Sequence, residues 1–226
     1  MNNFTNILEN GIFIKTSGTT GIPKLIFQPI NKIKAANSVS REVQHITKNS
    51  RILTVCKIAH AGGLLAQTLP AFEINAHVDI QSFNPYTWVK QIINYTHSHL
   101  APSMADAIIK TKNFSTLNLS GIVIMCGSDK VHCNIIQAFI DRGATFIVNW
   151  GMTEVGPVAI NKTYYPGDTV EETTGTIMGD SLYCDTKIVD NELYVRGDIC
   201  VYDNWFATSD YVVQEEGTFY YISRKI

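Results

Sequence analysis

The chain has 226 residues, of which 45% are hydrophobic and 17% are charged, and its net charge is −2. This length can bury a sizeable core in one large domain or in one and a half smaller ones. The charge balance, without any long basic run, excludes nucleic acid as an expected partner, and the apolar runs are too short to cross a membrane. The N-terminus lacks the features of a signal peptide. Five cysteines without a C-x-x-C pair indicate reduced, mostly buried thiols in a cytoplasmic protein.

The first two-thirds of the chain alternate between strand and helix patterns. A loop of small and hydroxyl residues, 16–24, separates the first two strands. Apolar residues at helical spacing predict a long helix from Ile30 to Ile46. Strands are predicted at 12–15, 25–27, 51–56 and 76–80, and further helices at 63–70, 86–95 and 102–110.

The next unit is a clear strand, helix and strand. Gly121 to Met125 is continuously apolar, as expected for a strand buried on both faces. An apolar stripe from Val131 to Ile140 predicts a helix, with Ser128 or Asp129 as its cap and Gly143 as its end. Thr145 to Val148 predicts the next strand, which ends at Asn149. Such units imply a parallel sheet, and ligands of these sheets gather at the carboxyl ends of the strands.

After about Asn161 the helical periodicity disappears. Turn signals instead separate short strand patterns at 185–189, 192–195, 211–214 and 218–222. The sequence therefore predicts an α/β fold with a parallel-rich sheet and flanking helices, followed by a small C-terminal antiparallel β subdomain, or partial barrel. The predicted division is 1–161 and 162–226.

The loop at 16–24 has the composition of an anion-binding loop. Its glycines let the backbone approach a phosphate closely, and its amides, hydroxyls and lysine can bind the oxygens. It is not a Walker loop, because no Gly-Lys-Ser or Gly-Lys-Thr follows. A mobile surface turn is the alternative. The candidate phosphate-binding residues are Thr16, Ser17, Gly18, Thr19, Thr20, Gly21 and Lys24.

The sequence Thr-Ser-Gly-Thr-Thr-Gly-Ile-Pro-Lys of this loop matches the signature of AMP-forming carboxylate ligases, the superfamily of acyl-CoA synthetases and adenylation domains. The resemblance implies that the loop holds the β- and γ-phosphates of ATP. Asn149 to Glu154 resembles the family's Tyr-Gly-x-Thr-Glu motif, with Trp150 in place of Tyr. By this resemblance Asn149, Trp150 and Gly151 bind adenine, Thr153 contacts the α-phosphate, and Glu154 holds Mg2+. A Trp-Gly pair used only for core packing is the alternative.

Three further segments resemble the family in the same order along the chain. Gly127 and Ser128 match the wall of the adenine slot, although Cys126 replaces a glycine there. Asp210 matches the aspartate that binds the ribose hydroxyls, and Arg224 lies in the segment that resembles the hinge and would contact ribose or phosphate. His60 and Gly63 match the His-x-x-Gly segment beside the acyl pocket. The alternatives are an ordinary strand-to-helix turn at Gly127 and Ser128, a turn residue without a binding role at Asp210, and a hydrogen-bonded core histidine at His60.

The resemblance implies adenylation of a carboxylic acid by ATP and Mg2+, with Thr153, Glu154 and Lys24 as catalytic residues. The acceptor of the acyl group stays open between CoA, a carrier protein and an amine. Family members carry segments before the phosphate loop and after the hinge, so the chain is expected to be a truncated core. A homodimer or a partner protein would then cover the open flanks. Two alternatives stay open: a non-catalytic module that binds ATP, AMP or an acyl-adenylate, and one subunit of a split ligase. The sequence does not identify the acid.

Overall fold

A seven-stranded sheet forms the centre of the computed structural model, which describes residues 2–16, 24–173 and 175–225. The described strands are β1 (Ile12–Lys15), β2 (Leu25–Gln28), β3 (Arg51–Thr54), β4 (His77–Ile80), β5 (His97–Leu100), β6 (Val123–Gly127), β7 (Thr145–Met152), β8 (Gly156–Tyr164), β9 (Thr176–Gly179), β10 (Ser181–Leu182), β11 (Asp185–Val189), β12 (Glu192–Arg196), β13 (Phe206–Glu215) and β14 (Thr218–Arg224). The described α-helices are α1 (Asn2–Asn10), α2 (Ile30–Gln44), α3 (Ala61–Gly63), α4 (Leu69–Glu73), α5 (Pro85–Gln91), α6 (Pro102–Ile109) and α7 (Cys133–Ile140). A π-helical turn, Leu64–Thr68, links α3 to α4, and 3₁₀ turns lie at Ile92–Asn94 and Lys112–Thr116.

The central sheet has the order β10-β8-β7-β6-β5-β3-β4. The strands from β3 to β7 pair in parallel, and β8 and β10 add antiparallel partners at one end. Helices α5, α6 and α7 supply apolar side chains to one face, and α2 with the segment 61–73 packs on the other. The predicted parallel-rich sheet with flanking helices is therefore confirmed.

The second sheet is antiparallel and has the order β11-β12-β13-β14-β9. Two of its hairpins turn at residues with positive φ, Asp190 and Asn191 in one, and Glu216 and Gly217 in the other. Such turns match the twist of paired strands, which is why these turn signals were informative. The predicted C-terminal antiparallel sheet is confirmed. The division at 161/162 stays a prediction, and β8 runs across that point.

Several local predictions were wrong. Helix α7 begins at Cys133, and its capping position is His132, so neither Ser128 nor Asp129 caps it. Ser128 has a φ of 69° and lies in a turn after β6 instead. Strand β7 continues past Asn149 to Met152. Helix α1 and strands β5, β8, β9 and β10 have no counterpart among the predicted elements.

All five cysteines are free thiols, and Cys126 and Cys200 are buried while the other three are partly exposed. The prediction that these thiols are mostly buried is therefore wrong, because only two of the five are. Within 2–16, 24–173 and 175–225, none of the helices has the length and apolar character needed to cross a membrane.

Replacing Phe139 with Ala should lower the free energy of unfolding by about 3–5 kcal/mol, because it leaves a cavity where the ring packs against Trp88, Phe114 and Phe146. Urea denaturation measures the effect. The control is Tyr86→Ala, at a side chain that is 66% exposed, which should change stability by no more than about 0.5 kcal/mol. Equal effects of the two substitutions would contradict the packing described here.

Candidate functional site

Two adjoining cavities open at the carboxyl ends of the parallel strands. The small cavity has a volume of about 260 Å³ and the large cavity about 720 Å³. Both are lined by Ser128, Asn149, Gly151, Met152 and Arg224, so they form one continuous cleft. This position is the one expected for ligands of a parallel sheet.

The small cavity lies where the two sheets meet. The turn after β6 supplies Ser128 to Val131, and β7 supplies Val148 to Met152. Strand β9 of the second sheet supplies Thr176, Ile177 and Met178, and its apolar side chains complete a wall that can pack on a flat ring. The sequence analysis did not find β9, because its four residues carry no alternating pattern.

Asp210 is a buried carboxylate at the edge of the small cavity, with only 3% of its surface exposed. Trp150 Nε1 donates a hydrogen bond to its Oδ2 over 3.0 Å, and Arg224 Nη1 lies 3.2 Å from its Oδ1. Burial raises the pKa of Asp210 above its usual value of 3.8, while the Trp150 hydrogen bond and the Arg224 charge act against that rise. Three residues taken from three separate motifs therefore meet at one carboxylate.

Asn149 lines both cavities, and its side chain packs against Gly127 at a distance that only glycine allows. Its Nδ2 donates to the Pro157 carbonyl over 2.7 Å. Its Oδ1 is buried and has no hydrogen-bond partner within the described residues. Gly127 lies beside it, and a Cβ at Gly127 would come within 2.4 Å of that oxygen. Gly127 itself lines neither cavity, so its position supports Asn149.

The large cavity has a strongly basic lining. Five of its residues are cationic: Lys15, Lys24, Lys57, Arg224 and Lys225. Glu154 is the single carboxylate in this lining. Arg224 is paired with Asp210, and Lys225 with Glu192 at 2.9 Å. The other three lysines form no salt bridge within the described part of the chain. Such a cleft favours a polyanionic ligand.

Both ends of the predicted phosphate loop line this cavity. Thr16 and Lys24 both line it, and they pair through Thr16 N to the Lys24 carbonyl at 2.8 Å and Lys24 N to Thr16 Oγ1 at 3.2 Å. The predicted residues Ser17, Gly18, Thr19, Thr20 and Gly21 lie outside the described residues. Thr153 and Glu154 line the same cavity from the turn between β7 and β8.

The predicted acyl-pocket residues belong to the lining of the same large cavity. His60 and Gly63 both line it. A Cβ at Gly63 would come within 2.2 Å of the Lys57 carbonyl oxygen, so the turn requires glycine there. Burial raises the pKa of the nearby Cys56 to about 11, which keeps it a neutral thiol.

Sequence reasoning missed several lining residues. Lys15, Lys57, Cys56, His99, Met104 and Lys225 all line the large cavity. Cys56 and Lys57 follow β3 and His99 lies in β5, so their strand-end positions offered the only available signal.

Known proteins match this chain in both sequence and fold. A family model described as AMP-binding enzyme matches residues 12–209. The indoleacetate–CoA ligase of Aromatoleum aromaticum is 27% identical over 93% of this chain and 46% of its own length. The inhibitor-bound N-terminal domain of FACL13 from Mycobacterium tuberculosis superposes with a TM-score of 0.79 at 16% identity, over 94% of this chain and 60% of that chain. ATP-bound MatB from Rhodopseudomonas palustris superposes with a TM-score of 0.78 at 16% identity, over 94% of this chain and 47% of that chain. This chain thus spans about half the length of the curated ligase that it matches.

Replacing Trp150 with Phe should raise the pKa of Asp210 further, because the indole N–H stabilises the ionised carboxylate. A pH titration of the Asp210 carboxyl carbon by NMR measures the shift. Trp205→Phe is the control, since Trp205 packs under Lys187 and Arg196 and lines neither cavity. An unchanged pKa of Asp210 in the Trp150 variant would show that the hydrogen bond does not form.

Proposed function

Because the chain belongs to the AMP-binding enzyme family, we propose that it binds ATP and a carboxylic acid and joins them into an acyl-adenylate. The observation that carries the proposal is the convergence of three motifs, distant from one another in sequence, on one cleft. Lys24, Trp150, Thr153 and Asp210 all line its two connected cavities. CoA is proposed as the second substrate, because the relative from Aromatoleum aromaticum is named a CoA ligase.

Asn149 is proposed to recognise adenine. The Pro157 carbonyl can only accept a hydrogen bond, so the Asn149 amide must direct its Nδ2 there and keep its Oδ1 as an acceptor. The exocyclic amine of adenine is a donor, whereas guanine has a carbonyl oxygen at the corresponding position. An unpartnered amide oxygen at the cleft therefore favours adenine. Trp150 and Gly151 from β7 and Ser128 from the turn after β6 are proposed to contact the same base, and Gly127 acts by supporting Asn149.

Asp210 and Arg224 are proposed to bind the ribose. A carboxylate can accept hydrogen bonds from both hydroxyls of a diol, since each oxygen has two acceptor positions. Trp150 and Arg224 use one position on each oxygen of Asp210, which leaves the others available. The same two donors hold the carboxylate in place before the ligand arrives.

The basic side of the large cavity is proposed to hold the phosphates. Lys24 and Thr16 lie there, with the remaining loop residues Ser17, Gly18, Thr19, Thr20 and Gly21 between them in sequence. Glu154 fits a magnesium site, because its carboxylate lines the cavity and forms no salt bridge within the described residues. Mg2+ commonly binds through one or two carboxylates together with substrate phosphates. When bound, it would neutralise charge on the phosphate oxygens.

The proposed reaction needs little proton transfer from the protein. A carboxylate oxygen of the acid forms a bond to the α-phosphorus, the bond from that phosphorus to the bridging oxygen breaks, and the electron pair leaves with pyrophosphate. Protein residues then act mainly by positioning the reactants and stabilising charge. Thr153 is assigned to the α-phosphate and Lys24 to the leaving pyrophosphate. His60 and Gly63 are assigned to the acid-binding side.

The isolated chain should catalyse the exchange of labelled pyrophosphate into ATP when a suitable acid and Mg2+ are present. Lys24→Ala should lower the exchange rate by about 10²–10³-fold, because it removes a positioned charge from the leaving group. Lys48→Ala, at an exposed lysine outside both cavities, is the matched control.

Three other outcomes would separate the alternatives. Nucleotide binding without any exchange would favour a non-catalytic module. Exchange that appears only after adding a partner protein would favour a split ligase. Failure to bind any adenine nucleotide would refute the proposed function altogether.

Wild-type protein should bind ATP more tightly than GTP, and Asn149→Leu should abolish most of that preference. The variant removes the acceptor, and the expected loss of ATP affinity is on the order of 10-fold. Isothermal titration calorimetry measures both affinities, and thermal unfolding checks that the variant folds. A preference for ATP that survives in a folded variant would contradict the role given to Asn149.

A further inference from the structure

His99 has a hydrogen-bonding pattern that the proposed roles leave unused. Its imidazole lines the large cavity and is only 4% exposed. Nδ1 lies 3.0 Å from the Gly62 carbonyl oxygen. Nε2 is buried and has no hydrogen-bond partner within 2–16, 24–173 and 175–225. Buried polar atoms normally have a partner, so a missing one asks for an explanation.

The state of the imidazole follows from its surroundings. Burial lowers the pKa of His99 to about 4, which leaves the ring neutral near pH 7. A neutral imidazole carries one N–H and one lone pair. The Gly62 carbonyl can only accept, so the N–H must be at Nδ1. Nε2 therefore presents a lone pair and requires a donor.

The neighbouring side chains of the cavity do not supply that donor. Cys56 directs its thiol to the His99 backbone carbonyl over 3.2 Å. Met104 and Ala101 have no polar hydrogen on their side chains, and Gly62 and Gly63 have no side chain at all. His99 Nε2 is thus a hydrogen-bond acceptor without a donor among the described residues, in the part of the cavity where Gly62, Cys56 and Met104 also lie.

We propose that the acid bound by this chain carries a hydroxyl group that donates to His99 Nε2. The inference rests on the proposed function, because it assigns this part of the large cavity to the acid. It narrows the substrate class to acids with a second polar group, and it makes His99 a specificity-determining residue. An acid without such a donor would leave the lone pair of His99 Nε2 buried without a hydrogen bond, which lowers its affinity.

Acyl-sulfamoyl adenosines, which mimic the adenylate, test the inference in matched sets of three. Each set contains a hydroxylated acyl group, its methyl ether and the unsubstituted acyl group, with aryl and alkyl bodies of several lengths. The methyl ether retains the oxygen but cannot donate. In at least one set the hydroxylated compound should bind wild-type protein on the order of 10-fold more tightly than both others, as measured by calorimetry.

His99→Phe should remove this preference while leaving the affinity for AMP within about twofold, since AMP lacks the acyl group. His77→Phe is the control, because His77 lies on the edge strand β4, outside both cavities. Equal binding within every set by wild-type protein would overturn the inference, even if the variant failed to fold. A preference that persists in a folded His99→Phe protein would overturn it as well.

The same measurements separate this inference from the proposed function. Binding of AMP and of the unsubstituted compounds, with no gain from a hydroxyl, would leave the adenylation proposal standing and refute the role of His99. Failure of AMP and of every analogue to bind would refute both proposals.

Discussion

The buried carboxyl group of Asp210 connects the two sheets, and the geometry of the cleft depends on it. Trp150 reaches it from β7 of the central sheet, while Arg224 reaches it from β14 of the second sheet. A buried charge is costly unless donors compensate it, so the seam between the sheets is favourable only where those donors are in place. The contacts that stabilise the seam are the same contacts that shape the candidate ribose site. Packing and ligand binding therefore cannot vary independently here.

The fold was predictable where one local pattern decided the outcome. The apolar run before Gly127 was correctly identified as a buried parallel strand, two residues ahead of its actual start. Strand β5 was missed because its residues His97, Ser98 and His99 are polar. Each finds a partner only in the folded protein: the Gln44 carbonyl, the Trp88 indole and the Gly62 carbonyl. The two carbonyl groups lie 53 and 37 residues away along the chain, beyond any local window, so tertiary structure overrides the local preference.

The candidate site divides in the same way. Residues inside contiguous motifs, such as Thr153, Glu154 and Asp210, were predicted, and the structure places them at one cleft, although their roles remain proposals. Residues that reach the cleft only through strand position, such as Lys57 and Met104, had no local signature. The cap of α7 was wrongly assigned because Ser128, whose φ is 69°, forms part of a turn that lines the cleft instead. A polar residue before a helix can be a cap or a site residue, and the sequence alone does not separate the two.

The lysine-rich lining of the large cavity has a consequence for how a ligand arrives. The protein as a whole carries a net charge of −2 and so has no overall attraction for an anion, whereas the cationic lining of this cavity attracts one. The resulting electrostatic field guides a diffusing polyphosphate toward this cavity. The field decays over a Debye length of about 8 Å at physiological ionic strength. Encounter rates should then be far more sensitive to added salt than the thermal stability of the fold is. The distribution of surface charge thus determines where a ligand first meets the protein and how fast it associates. The individual contacts in the cavity then determine which ligand is bound tightly.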